Sequence, residues 1–156
     1  MHDSSYKLMA QFVVDYVKPK SLVLDVGSYD VNGTYKPLFE HCSYVGLDIE
    51  AGPNVDVVSQ DHYSYPFPDA SFDVVISGQC LEHSYYPWKI IKEMGRMVKS
   101  NGMTCIIAPW QYEIHRHPVD CFRILPDGMT RMMEDAGFKV LSCITNKNDC
   151  CGIGTK

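Results

Sequence analysis

The chain is punctuated by short, nearly unbroken apolar runs, each too brief for a helix and rich in β-branched residues. "SLVLDV" (residues 21–26), "SYVGLDI" (43–49), "VDVVS" (55–59), "FDVVIS" (72–77) and "MTCIIAP" (103–109) have the pattern of strands covered on both faces, as in a parallel sheet. "KVLSCIT" (139–145) adds a sixth, and "GIGTK" (152–156) a short seventh. Between the fourth and fifth, "PWKIIKEMGRMVKSNG" sets Ile90, Ile91, Met94, Met97 and Val98 on one helical face, with Asn101 and Gly102 as the stop. "LPDGMTRMMEDAGF" predicts a helix ending at Gly137. Near the start, Leu8, Phe12, Val13, Tyr16 and Val17 repeat as an amphipathic helix closed by Pro19. Strand and helix in alternation predict an α/β fold, doubly wound around a mostly parallel sheet of six or seven strands.

Two connections are unusually brief. "EAGPN" separates the second and third strands, where a crossover helix needs a dozen residues or more. "QDHYSYPFPDA", after the third, is too rich in proline to be helical. The crossovers after strands two and three are therefore expected to be trimmed. With 156 residues and no repeat or linker, a single domain over 1–156 is expected.

Composition narrows the function classes. The seven cysteines are scattered and never spaced C-x-x-C, which argues against a disulfide framework or a zinc ribbon. With no leader-like pattern at the N-terminus, a reducing cytoplasm is the expected setting. A net charge of -5 without a Lys/Arg cluster makes nucleic acid an unfavoured partner. No run approaches the ~18 apolar residues of a membrane span. A sheet short of helices leaves apolar surface that a second copy could cover, so a homodimer is expected.

The most informative stretch is "LVLDVGSYDVNGTY", residues 22–35. It begins as a buried strand and breaks at Gly27, in the loop where a doubly wound sheet binds its ligand. Glycine lets backbone approach a ligand closely, and the following N–H groups with Ser28 can donate to it. Asp25, at the end of the strand, can orient the loop or accept a bond from a ligand ammonium. Asp48 closes the second strand, 23 residues beyond Asp25, where Rossmann-like sheets place an acid for the ribose hydroxyls. Together these features point to a bound nucleoside.

"VSQDHYSYPFPDASFDVVISGQCLEH" and "IIKEMGRMVKSNGMTCIIAP" resemble class I S-adenosylmethionine-dependent methyltransferases of the small-molecule group, over about residues 22–138. The resemblance implies a Rossmann-like fold, S-adenosyl-L-methionine as cofactor and a methyl-transfer enzyme. By position, it implies Asp48 at the ribose and Ile49 against the adenine face. Asp61 would meet the adenine amino group, with the His62 backbone N–H beside the ring. Asp25, Gly27 and Ser28 would surround the methionine part, and residues 77–79, with Ser77 and Gln79, would line the methyl end. Asp73 would be structural. One departure stands out: the family loop is acid-x-Gly-x-Gly-x-Gly, and Tyr29 occupies the second glycine position. Tyrosine does not take a positive φ cheaply, so another loop path is expected, with Asp30 or Asn32 capping a helix that starts near Thr34.

Methyl transfer from a sulfonium is an in-line displacement, catalysed mainly by alignment, with a base needed only if the acceptor must lose a proton. The segment "APWQYEIHRHPVDCFRILPDG" follows the fifth strand, where such a sheet carries its acceptor loop. His115, His117 and, from "CLEHSYYPW", His83 are the candidate catalytic groups, because imidazole titrates near neutrality. Trp110, Asp120 and Arg123 are the candidate acceptor-binding residues, Arg123 as a clamp for an anionic group. No metal site is expected: His115, His117 and Cys121 lack the paired spacing of a structural zinc site. The expected acceptor is a small molecule or sugar, methylated at oxygen. Two alternatives stand beside this function. One is a methyltransferase-fold partner subunit without catalysis. The other is an NAD(P)-dependent reductase, which Tyr85-x-x-x-Lys89 suggests and the missing G-x-G-x-x-G loop opposes.

Overall fold

The computed structural model describes residues 3–156. Its strands are β1 (Leu22–Val26), β2 (Ser43–Asp48), β3 (Val57–Val58), β4 (Phe72–Gly78), β5 (Val98–Pro109), β6 (Lys139–Thr145) and β7 (Asp149–Thr155). They form one sheet in the order β3-β2-β1-β4-β5-β7-β6. Strands β1 to β5 pair in parallel, while β7 runs antiparallel to both β5 and β6. This is the expected Rossmann-like, mostly parallel architecture, with seven strands. The order reverses between β1 and β4, the switch point at which open sheets bind ligands.

Alternation along the central strands sends neighbouring side chains to opposite faces. Leu24, Val75 and Ile106 pack with Ile91, Met94 and Met97 of α2 (Pro87–Met97) and with Met129 and Met133 of α3 (Pro126–Asp135). Val23, Val74, Ile76 and Ile107 meet Met9 and Phe12 of α1 (Asp3–Tyr16) on the other face. Each fully buried side chain of this size is worth about 1.5–3 kcal/mol relative to exposure, which fixes which helix covers which face.

The crossovers after β2 and β3 contain no helix, as expected. Three local expectations are corrected. The helix near Thr34 is only a 3-10 turn over Lys36–Phe39. Its entry is set by Thr34 Oγ1, which accepts the Lys36 N–H at 3.1 Å. Helix α2 stops at Met97 rather than at Asn101: Val98 is already extended and pairs with Phe72 of β4. Strand β7 begins at Asp149, three residues before the predicted start. Its glycines hide it from propensity, yet Gly152 and Gly154 let Met133 of α3 pack directly against the strand.

The β3–β4 link, lacking a helix, is tied down by Arg96 of α2. Its guanidinium donates to the Phe67 carbonyl at 2.7 Å, the Tyr65 carbonyl at 3.2 Å and Asp69 Oδ1 at 2.9 Å. Glu93, paired to Arg96 at 2.7 Å, also accepts the Tyr65 N–H at 3.0 Å. No helix among the described residues is long and apolar enough to cross a membrane.

Candidate active site

A cavity of about 740 Å³ opens beyond the carboxyl ends of β1, β2 and β4, within the size range of small-molecule sites. One wall is the loop after β1. Gly27 has φ +80°, and a Cβ there would overlap the Cys80 side chain, so glycine is obligatory both for conformation and for close packing. The Gly27 and Ser28 N–H groups donate to the Leu47 carbonyl at 2.9 and 3.1 Å. Ser28 lines the cavity, while its hydroxyl donates to the Asn54 carbonyl at 3.0 Å and its carbonyl accepts from Asn54 Nδ2.

Tyr29 shows how the loop dispenses with its second glycine. Its N–H donates to Asp48 Oδ2 at 3.0 Å, and its ring occupies the space over Gly52 where a Cβ would sit. The Asp30 N–H then bonds the Pro53 carbonyl at 3.0 Å, and Asp30 Oδ1 accepts the Gly33 N–H at 2.5 Å. The loop is thereby zipped to the short β2–β3 link.

Asp48 lines the cavity at the end of β2. Its Oδ1 accepts the Ile49 and Glu50 N–H groups at 2.7 and 3.3 Å, so backbone donors on both oxygens hold the carboxylate in place. Ile49, exposed, and His62 line the same end of the cavity, together with Tyr63 and Tyr65. Asp61 is not among the lining residues; its Oδ1 accepts the Tyr63 N–H at 2.8 Å and shapes the turn that presents His62 and Tyr63. Asp25 lines the cavity yet is almost fully buried, and Tyr44 donates its hydroxyl to Asp25 Oδ2. Burial pushes the Asp25 carboxyl up to about 7, against the Tyr44 bond and with help from the Asp48 charge.

After β4, Gln79 lines the cavity in a left-handed conformation, φ +59°. Its side chain donates to Asp149 Oδ1 at 2.9 Å. Ser77 is buried outside the lining, its hydroxyl on the Val26 carbonyl at 2.8 Å. Asp73, outside the cavity, accepts the Leu22 N–H and pairs with Lys99, both at 2.8 Å.

His83, His115 and His117 converge on one stretch of the lining. Ring centroids of His83 and His115 are 5.1 Å apart, and those of His83 and His117 are 6.2 Å apart. Asp120, Arg123 and Trp110 do not line the cavity. Instead Arg123 grips Asp120 at 2.5 and 2.8 Å, holding its carboxyl well below the usual range, and Asp120 Oδ2 accepts the His115 N–H at 2.7 Å. Trp110 Nε1 donates to the Asn146 carbonyl at 2.9 Å. These three brace the histidine-bearing segment.

Sequence reasoning passed over Glu82. It is fully buried, and neither carboxylate oxygen has a hydrogen-bond partner among the described residues. Burial pushes its carboxyl up to about 8, and burial also lowers the neighbouring His83. The signal was present as an acid beside a histidine in an otherwise apolar "CLEH". Tyr63 and Tyr65 were also missed, since nothing in their spacing marks them as cavity residues.

The fold matches that of known proteins. A Burkholderia thailandensis 1,6-didemethyltoxoflavin-N1-methyltransferase, solved with its substrate and S-adenosylhomocysteine bound, superposes with a TM-score of 0.77 at 13% identity, covering 99% of this chain and 79% of that one. A SAM-dependent methyltransferase from Aquifex aeolicus gives 0.68 at 19% identity, covering 99% and 98%. In sequence, a Mycobacterium tuberculosis protein named a "probable S-adenosylmethionine-dependent methyltransferase" is 28% identical over 92 residues, 55% of this chain. The chain spans only about a third of the length of the curated relatives it matches, 34% in this case. The family model described as "Methyltransferase domain" matches residues 24–106, more than half of the chain, and the protein belongs to that family.

Proposed function

We propose that this protein transfers a methyl group from S-adenosyl-L-methionine to an oxygen of a small-molecule or sugar acceptor. The observation that carries this reading is the pairing of a glycine-opened loop with Asp48, both on one cavity at the switch point of the sheet. Asp48 would accept the ribose hydroxyls, with Ile49 and His62 against the adenine. Asp25 and Gly27 face the methionine part, where the cofactor ammonium would meet the Asp25 carboxylate. Asp61 supports this end through the turn it caps, and Ser28 through its clasp on Asn54.

Acceptor chemistry belongs at the histidine end. An acceptor hydroxyl oxygen attacks the methyl carbon, the C–O bond forms as the C–S bond breaks, and the bonding pair returns to sulfur to leave S-adenosylhomocysteine. The hydroxyl proton passes to an imidazole of the cluster acting as general base. Asp120 and Arg123 position that cluster.

The test is transfer of methyl label from S-adenosyl-L-methionine to a panel of hydroxylated small molecules and sugars, with the product site identified by mass spectrometry and NMR. Label on oxygen, reduced at least tenfold in His117→Ala, is expected. Label found only on nitrogen or carbon would contradict the choice of atom.

A further inference from the structure

Glu82, His83 and His115 bring three ligand atoms within 4.8 Å of one another, and both histidines line the cavity. His83 Nδ1 lies 2.6 Å from the Val119 carbonyl. A carbonyl only accepts, so Nδ1 carries the proton and Nε2 presents a lone pair. That Nε2 is 3.7 Å from Glu82 Oε1. His115 Nδ1 faces two more acceptors, the Glu113 carbonyl at 3.1 Å and Asp120 Oδ2 at 3.5 Å. Its Nε2 therefore also presents a lone pair, 4.0 Å from the same Glu82 oxygen.

Three electron-pair donors thus face one another with no protein donor between them. Glu82 is fully buried with both oxygens lacking a hydrogen-bond partner among the described residues, an arrangement that costs free energy unless a proton on the carboxyl or a metal cation in the gap relieves it. We propose that Glu82, His83 and His115 form a binding site for a divalent first-row transition ion, with its remaining coordination positions open to the cavity. No spacing motif announces it, because the histidines are far apart in the chain and the third ligand is a carboxylate rather than Cys121.

The geometry suits such an ion. A tetrahedral ion about 2.1 Å from each donor sets donors ~3.4 Å apart, so the 3.7 and 4.0 Å spacings to Glu82 need close by only about half an ångström, within a set whose ligand atoms all lie within 4.8 Å. Two imidazoles and one carboxylate favour zinc, cobalt, manganese or iron over calcium and magnesium. The bonds on both Nδ1 atoms are the outer contacts that orient metal-bound histidines. Arg123 and Asp120 then act as positioning residues, holding His115 rather than touching the acceptor. Three protein ligands and an open side are the pattern of a catalytic rather than a structural site.

An acceptor hydroxyl bound at the open position would lose its proton more readily, and His117, which is not a ligand, is placed to take it. This use rests on the methyl-transfer function proposed above; the metal site itself does not.

The experiment is calorimetric titration of the chelator-stripped protein with zinc chloride, with cobalt(II) absorption reporting the ligand set. One equivalent of zinc is expected, with a cobalt spectrum lacking thiolate charge transfer. Affinity should fall at least tenfold in both Glu82→Gln and His115→Asn, while Cys121→Ser binds like the parent. Retained S-adenosylhomocysteine binding by the variants shows that they fold. Absence of stoichiometric zinc, zinc affinity unchanged in both variants, or loss in Cys121→Ser would overturn the site. Zinc binding without S-adenosylhomocysteine binding would instead refute the methyl-transfer function alone.

Discussion

The backbone N–H of Tyr29 donates to Oδ2 of Asp48 at 3.0 Å, so the residue that replaces a loop glycine is itself a clamp on the acid at the end of β2. The loop and the acid form one unit, and the tyrosine ring lies over Gly52.

Asp48→Ala would remove the charge-assisted bonds of the proposed ribose contact, worth about 1.5–3 kcal/mol each. S-adenosylhomocysteine affinity is expected to fall tenfold or more by calorimetry. Unchanged affinity would remove Asp48 from the cofactor site.

Gly52→Val puts a side chain into the space of the Tyr29 ring. The ring must move, and the loop moves with it. Cofactor affinity is expected to weaken severalfold in the same titration, with turnover at saturating cofactor little changed; a neutral result would show that the Tyr29 contact does not shape the loop.

Asp25 predicts a pH dependence. Its carboxyl rises from an ordinary 3.8 to about 7 through burial, so the folded chain holds a proton that the unfolded chain has released. Stability from this group therefore falls as pH rises from about 4 to 7 and is level above that. Tyr44 and Asp48 face the carboxyl, and Tyr35 and Cys80 across the loop are held neutral by burial. Melting curves of Asp25→Asn against the parent should show the variant gaining in relative stability from pH 5 to pH 8. A constant difference would mean that Asp25 is ionised throughout.

Arg96→Ala strips donors from the Tyr65 and Phe67 carbonyls and leaves Glu93 unpaired. The cost is about 1–3 kcal/mol, or several degrees in melting temperature for a chain of this size. Because the same clasp sets His62 and Tyr63 beside the cavity, cofactor affinity should fall as well. Arg96→Lys should recover little, since one ammonium cannot span the same acceptors.

Much of this arrangement is legible in the chain because strand ends carry it. Asp25, Gly27 and Asp48 stand where apolar runs stop, and a run that stops at a polar residue marks the sheet edge that binds ligand. Elsewhere tertiary contacts decide. Val98 continues a good helical pattern but is captured by Phe72, and β7 looks weak until Met133 is seen to pack against its glycines. Asp120 and Arg123 have the chemistry of substrate clamps, yet their partners are each other and the His115 backbone. Glu82 carries only a faint local signal because its meaning depends on His115, 33 residues away, folding back over it.

The most direct measurement is calorimetric titration of the purified protein with S-adenosylhomocysteine, with NAD as the control. Micromolar binding of S-adenosylhomocysteine and none of NAD is the predicted result. Binding of NAD alone, or of neither, would contradict the assignment of this cavity to S-adenosyl-L-methionine.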